Sequence, residues 1–157
     1  MITLRRAAVL AATSALAITV AASPASAGTG LSVNDTLTLE GDTAAVSGTY
    51  SCQTKDTEFA GGYKAKVTLV VLVTQGTLDT PDYVPGSRGV EVSCPATNEP
   101  WQMALAPNTA HLGTKWKTGS GRVETQLFKS RRPDPDFPNP PGGVEQIAEL
   151  NRTVSID

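Results

Sequence analysis

Hydrophobic residues recur at every second position along most of the chain after residue 27. Ala44, Val46, Tyr50 and Cys52, for example, alternate with small polar residues. A period of two indicates β-strands with one buried face, because successive side chains of a strand point to opposite sides. This alternation predicts strands at 31–39, 44–52, 63–74, 90–94, 101–105 and 122–129, and a last strand within 144–156 after a candidate helical turn at 145–147.

The segment 63–74 has the strongest strand pattern. Val67, Leu69, Val71 and Val73 share one parity, and the residues between them at 70 and 72 are apolar as well. A strand that is apolar on both faces is central in its sheet or covered by a loop.

About seven short strands separated by Gly/Pro-rich turns predict an all-β fold. The closest architecture is an antiparallel immunoglobulin-like β-sandwich with one disulfide. No Trp lies between the two cysteines, as it would in a true immunoglobulin domain, so the pattern leaves the strand order open.

Residues 1–27 have the pattern of a secretory signal peptide. Arg5 and Arg6 precede an apolar stretch at 7–20, and Ala25-Ser26-Ala27 provides the small residues of a cleavage site. Ala7 and Ala8 match the twin-arginine signal poorly, so ordinary secretion is favoured. We therefore expect a secreted, extracellular protein that begins at Gly28 and has no membrane span.

Removing this leader changes the composition. Of the remaining 130 residues 44 are hydrophobic, about 34%, and the net charge falls from −2 to −4 without the two leader arginines. The length fits a single domain at 28–157, which we expect to be monomeric. A mildly acidic chain without a basic block argues against nucleic-acid binding.

Cys52 and Cys94 are the only cysteines. In an exported protein, two cysteines with no third are expected to form one disulfide. Each lies in a strand-like run, so the bond should join strands or sheets. Redox chemistry needs a C-x-x-C motif that is absent, and zinc needs four ligands.

The strings Val46-Ser-Gly-Thr-Tyr-Ser-Cys52 and Val92-Ser-Cys94, followed by Trp101, resemble a family of small exported actinobacterial proteins classed as a domain of unknown function. The resemblance covers most of residues 31–129. It implies export, a β-sandwich and one disulfide, and it carries no catalytic residue to this chain.

A Pro-rich loop at 130–143 interrupts the strand pattern. Its prolines favour a stiff, extended backbone, which lowers the entropy lost on docking. The candidate binding residues are Arg131 and Arg132, which also form a dibasic protease site, the aromatic Phe137, and Trp116. Tyr83, Trp101 and Trp116 would stack on sugar rings if exposed, although the alternating pattern favours a core position for Trp101.

No catalytic, metal or cofactor motif is visible, and we expect no cofactor. His111, the only histidine, would have to serve any Ser-His-Asp hydrolase, and no G-x-S-x-G elbow accompanies it. A glycosidase would need two carboxylates brought together. Calcium could use oxygen-rich loops, but the spacing of known motifs is missing. The carboxylates considered are Glu91, Glu99 and Glu124 for an acid pair, and Asp79, Asp82, Asp134 and Asp136 for calcium.

These observations favour a non-enzymatic, exported β-sandwich that serves as a binding or cell-envelope-associated module, with an extracellular protein or a glycan as its partner. Two alternatives remain open. One is a protease-inhibitor-like protein that presents the Pro-rich loop, and the other is a hydrolase that uses His111.

Overall fold

The computed structural model describes residues 28–59, 62–131 and 143–157. Eight strands account for most of these residues, with two short 3₁₀ turns, Thr54–Thr57 and Ala110–Leu112, and no α-helix in the described segments. The strands are β1 Gly30–Val33, β2 Thr36–Glu40, β3 Thr43–Cys52, β4 Ala65–Gln75, β5 Val84–Val92, β6 Ala96–Leu105, β7 Gly119–Arg131 and β8 Val144–Ile156. The all-β prediction is confirmed.

The strands form one curled sheet that folds into two layers. In the small layer β3 lies between β6 on one side and β1 and β2 on the other. In the large layer the order is β2-β8-β7-β4-β5. Strand β2 belongs to both layers, since it pairs with β3 and, over two residues, with β8. The doubly apolar strand was predicted to be central in its sheet or covered by a loop, and the structure shows the first of these, because β4 lies between β5 and β7.

Several predicted details were wrong. The strand expected at 31–39 is divided into β1 and β2, so there are eight strands. The β2–β8 pairing is parallel, so the sheet is mixed. Strands β5 and β6 begin six and five residues earlier than predicted, because their ladder partners extend them through Pro85 and Pro100. The helical turn predicted at 145–147 is part of β8, where Glu145 pairs with Lys129 of β7.

The core lies between the layers and consists of the inward side chains. The largest completely buried ones are Leu37, Val46, Val67, Leu69, Val71, Val73, Leu105, Val123, Thr125, Leu127 and Ile156. Trp101, predicted to be core, is buried and lies across Gly48 of β3. A Cβ at Gly48 would come within 2.9 Å of this indole and 2.0 Å of the Ser32 carbonyl oxygen, so only glycine fits there.

The two long edges of the sandwich are closed in different ways. At one edge β2 links the layers, and Arg152 of β8 donates to the Val33 carbonyl 3.1 Å away. At the other edge none of the eight described strands pairs with both β5 and β6. There Asn108 donates its backbone N–H to the Pro85 carbonyl at 2.7 Å, and Trp116 fills the space. Val90 of β5 lies between these contacts and the disulfide, and its side chain is 42% exposed, so this part of the edge is open to solvent.

The disulfide predicted between Cys52 and Cys94 is present. It joins the end of β3 to the short connection between β5 and β6, with Cα atoms 5.6 Å apart. The Tyr50 hydroxyl donates to the Ser93 carbonyl at 3.2 Å beside it. The bond therefore holds together the two layers at the end of the sandwich farthest from Asn108.

The described segments contain no helix that is both long and apolar enough to cross a bilayer. The predicted signal peptide, residues 1–27, lies outside the described residues.

Candidate functional site

An open groove of about 590 Å³ lies on the outer face of the large layer. Its floor crosses three neighbouring strands, β4, β7 and β8, and its wall is the turn at 76–83 between β4 and β5. Volumes of roughly 300–1,000 Å³ are typical of ligand sites. The lining residues are Leu72, Thr74, Gly76, Thr77, Leu78, Tyr83, Ser120, Gly121, Arg122, Glu124 and Thr153.

The wall is an internally hydrogen-bonded turn. The Thr80 hydroxyl shares its single proton between the Thr77 carbonyl and the Asp82 carboxylate, and the Tyr83 backbone N–H donates to the Thr80 carbonyl. The Thr80 hydrogen bond lowers the pKa of Asp82. Gly76 has a positive φ of 79°, and a Cβ there would meet the Asp82 carbonyl oxygen at 2.4 Å. Glycine at 76 therefore lets the turn close tightly against the end of β4.

Two opposite charges lie on the groove floor. Arg122 and Glu124 are two residues apart on β7 and share its outer face, so their Cα atoms are about 7 Å apart. Arg122 donates from Nε to Asn151 Oδ1 at 2.6 Å, and Glu124 accepts from Gln126. The salt bridges found in the described chain do not include this pair. Both side chains therefore keep hydrogen-bonding capacity for a ligand.

Apolar side chains lie beside these charges. In the cross-strand register Leu72 is paired with Glu124, and Thr68 with Phe128. Val70, Leu72 and Phe128 all lie on the outer face, away from the core, and are half-buried. Leu78, at the wall, is 65% exposed. Tyr83 is half-buried and completes the groove with an aromatic side chain.

The prediction that Trp116 binds a ligand is corrected by its position. Trp116 is only 6% exposed and its indole N–H donates to the Leu105 carbonyl at 2.9 Å. A Cβ at Gly86 would come within 2.6 Å of its ring. Trp116 is a packing residue between β5 and β6, and neither ring face is available to a sugar.

Arg131 lies at the base of the Pro-rich loop, and its guanidinium contacts two aromatic rings. Its guanidinium carbon is 4.2 Å from the Tyr63 ring centroid and 5.6 Å from that of Phe59. Its backbone N–H donates to the Gly143 carbonyl at 3.2 Å, and its buried Nε has no hydrogen-bond partner in the described part of the chain. Arg132 and Phe137, the other predicted loop contacts, lie outside the described residues.

The carboxylates considered for an acid pair, Glu91, Glu99 and Glu124, do not lie together in the structure. Glu91 of β5 pairs with Thr68 of β4, whereas Glu124 of β7 pairs with Leu72, four residues farther along β4. Glu99 lies on β6, in the other layer. Of the aspartates considered for calcium, Asp79 and Asp82 lie in one turn, between β4 and β5. The backbone of His111 lies in the 3₁₀ turn Ala110–Leu112. In the segments described, no three His, Cys, Asp or Glu side chains could hold a metal ion together. Asp134 and Asp136 lie outside those segments.

Sequence reasoning named two groove residues, Tyr83 and Glu124, but did not connect them. Arg122 and Leu72 were not proposed as site residues, and Asp79 and Asp82 of the turn wall were considered only for calcium. The sequence did contain one indication of the groove, since Val70 and Leu72 are apolar side chains on the face of β4 that points away from the core. Only the strand order shows that β7, more than 40 positions away in the sequence, lies beside them.

Comparisons of the chain with protein-family models, with curated proteins and with solved structures found no match.

Proposed function

We propose that this protein is an exported binding module of the cell envelope rather than an enzyme, and that it binds through the outer face of the large layer. The observation that carries the proposal is the groove over β4 and β7. It combines half-buried apolar side chains that the core does not use with charged and hydroxyl side chains that have spare hydrogen-bonding capacity.

The architecture supports this role. Strands β4 and β7 are the central strands of the large layer and are hydrogen-bonded on both sides. Side chains on such strands are held in fixed positions, and a preformed surface loses little entropy on binding. The disulfide adds stability outside the cell.

The test is retention of the purified exported chain on native cell-envelope fractions. We expect saturable binding to an insoluble envelope fraction, which excess unlabelled protein displaces. A chain with its disulfide reduced and blocked and its fold lost serves as the control for nonspecific adsorption. If the folded chain is retained no better than this control on every envelope fraction, the proposed function is wrong.

A second candidate function is that of a protease-inhibitor-like protein. The specific observation is that both ends of segment 132–142 are held, by the Arg131–Gly143 backbone hydrogen bond and by the stacking of Arg131 on Tyr63. If it inhibits, stoichiometric amounts of the chain should block a trypsin-like extracellular protease and survive intact. Rapid cleavage at Arg131 or Arg132 would instead identify the loop as a substrate.

A further inference from the structure

We infer that the groove lined by Tyr83, Arg122 and Glu124 binds a neutral polysaccharide. This inference rests on the proposed binding function and specifies its site and ligand class. It is argued from the charge balance, the chemistry of the lining and the hydrogen bonding of the groove floor.

The charge balance favours a neutral ligand. Among the lining side chains Arg122 is the only cation and Glu124 the only anion, so the charges of the lining balance; Asp79 and Asp82 lie on the turn that forms the wall, outside the lining. A phosphate, a nucleic acid or an anionic lipid headgroup would meet the Glu124 carboxylate beside the guanidinium. A ligand that offers both donors and acceptors satisfies the two groups together, and a sugar hydroxyl is both.

The remaining polar groups of the lining fit the same chemistry. The hydroxyls of Thr74, Ser120 and Thr153 have no hydrogen-bond partner among residues 28–59, 62–131 and 143–157. In the cross-strand register Arg122 lies between Thr74 of β4 and Thr153 of β8. A ligand with many hydroxyls pairs with this row of groups more completely than an apolar molecule.

Tyr83 and Leu72 supply the apolar contact. A pyranose ring has an apolar C–H face, which packs on aromatic and aliphatic side chains while its hydroxyls point outward to polar groups. Both side chains line the groove, and Leu72 is the cross-strand partner of Glu124. The groove is open to solvent rather than enclosed, so it does not limit a ligand to a single sugar unit.

The floor disfavours an extended peptide. Peptides that add to a sheet bind through main-chain hydrogen bonds at a free edge. The strands beneath the groove, β4 and β7, have paired neighbours on both sides, so no edge is offered there. Recognition in the groove depends on side chains alone.

The test is affinity electrophoresis of the folded exported chain in gels that contain soluble β-glucan, α-glucan or mannan, with polyglutamate as the charged comparator. We expect retardation by at least one neutral polysaccharide and none by polyglutamate. The variants Tyr83→Ala and Glu124→Gln should weaken the binding roughly tenfold each, as loss of one good contact does. The matched control is Thr68→Ala, on the same face of β4 outside the groove.

Each outcome decides the inference. Because Glu124→Gln preserves shape, it should fold even if Tyr83→Ala does not, and circular dichroism checks both. The inference is overturned if no neutral polysaccharide retards the chain, if polyglutamate does so equally, or if Glu124→Gln binds as well as Thr68→Ala. Retention on envelope fractions with any of these results would leave the proposed function standing and remove only the glycan groove. If the chain binds a neutral polysaccharide but is not retained on any envelope fraction, the glycan groove stands and the proposed envelope function is wrong.

Discussion

At the scale of single residues, the packing of Trp116 on Gly86 depends on the absence of a side chain at 86. A methyl group at 86 would lie 2.6 Å from the ring, well inside normal contact distance. We expect Gly86→Ala to destabilise the fold by about 1–3 kcal/mol, as overpacking does. Denaturant unfolding measures this change.

Gly89 is the matched control on the same strand. The nearest atoms to a Cβ there lie 3.6 Å away, which is ordinary contact. Alanine also lowers the entropy of the unfolded chain, so Gly89→Ala should be neutral or stabilise by about 0.5–1 kcal/mol. Equal losses in the two variants would mean that the Trp116 contact does not limit the space at Gly86.

Ionisation of Tyr50 is expected to lower the stability of the fold at alkaline pH. Burial raises the pKa of its phenol above the usual 10.0, and the nearby Glu99 carboxylate raises it further, while the hydrogen bond to Ser93 lowers it. A raised pKa in the folded state means that the native protein holds this proton more tightly than the unfolded chain. The contribution is complete below about pH 10 and is lost as the pH rises through the folded pKa.

We therefore expect the melting temperature of the native chain to fall more steeply above pH 10 than that of Tyr50→Phe, which has no phenol to ionise. Both proteins should respond equally between pH 6 and 9. Parallel melting curves over the whole range would contradict the assignment. The phenolate absorbance of the two proteins, compared at each pH, identifies the group.

At the scale of elements, the stacked Arg131 holds the base of the β7–β8 hairpin. Cation–π contacts are worth about 0.5–1 kcal/mol when exposed and more when desolvated. Arg131→Met keeps the length of the side chain and removes the charge, so we expect a loss of about 1 kcal/mol and faster proteolysis at the hairpin. Lys66→Met, in the next residue pair of the β4–β7 ladder, removes a cation that contacts no aromatic ring of the described residues and should change little.

The disulfide joins the two layers, as strand β2 does elsewhere in the fold. It closes a loop with a sequence separation of 42 residues, for which loop-closure entropy gives roughly 4 kcal/mol. We expect the double variant Cys52→Ser, Cys94→Ser to lose stability of this order in denaturant unfolding. Ser93→Ala is the control, because it keeps the carbonyl that Tyr50 uses. A loss below about 1 kcal/mol would mean that the remaining contacts hold the layers without it.

At the scale of the whole molecule, the predicted leader and disulfide together fix the mass of the exported protein. We expect intact-mass spectrometry to show the loss of 27 residues and of two hydrogen atoms. A chain that retains residues 1–27 would contradict the signal peptide, and free thiols in the exported form would contradict oxidation outside the cell. The mass measurement does not test the resemblance to the exported actinobacterial family, which stays a prediction.

The sequence by itself determined the class of fold and the covalent link. Period-two alternation reports directly on which face of a strand is buried, so the inward residues of β3, β4 and β7 could be read from parity. Because the chain has only two cysteines, only one disulfide can form within it. Strand limits were less accurate at Pro85 and Pro100, because a partner strand can extend a ladder through residues that are unfavourable for strands in isolation.

Only the tertiary structure decided how the layers close and where the candidate site lies. The division of the first strand near Asn34 depends on β2 reaching β8, at the far end of the chain, and no local pattern encodes that pairing. Trp116 could not be placed by its exposed neighbours Lys115 and Lys117, since its burial depends on a glycine 30 positions away. The groove exists because β4 and β7 are neighbours, and this adjacency brings Leu72 beside Glu124.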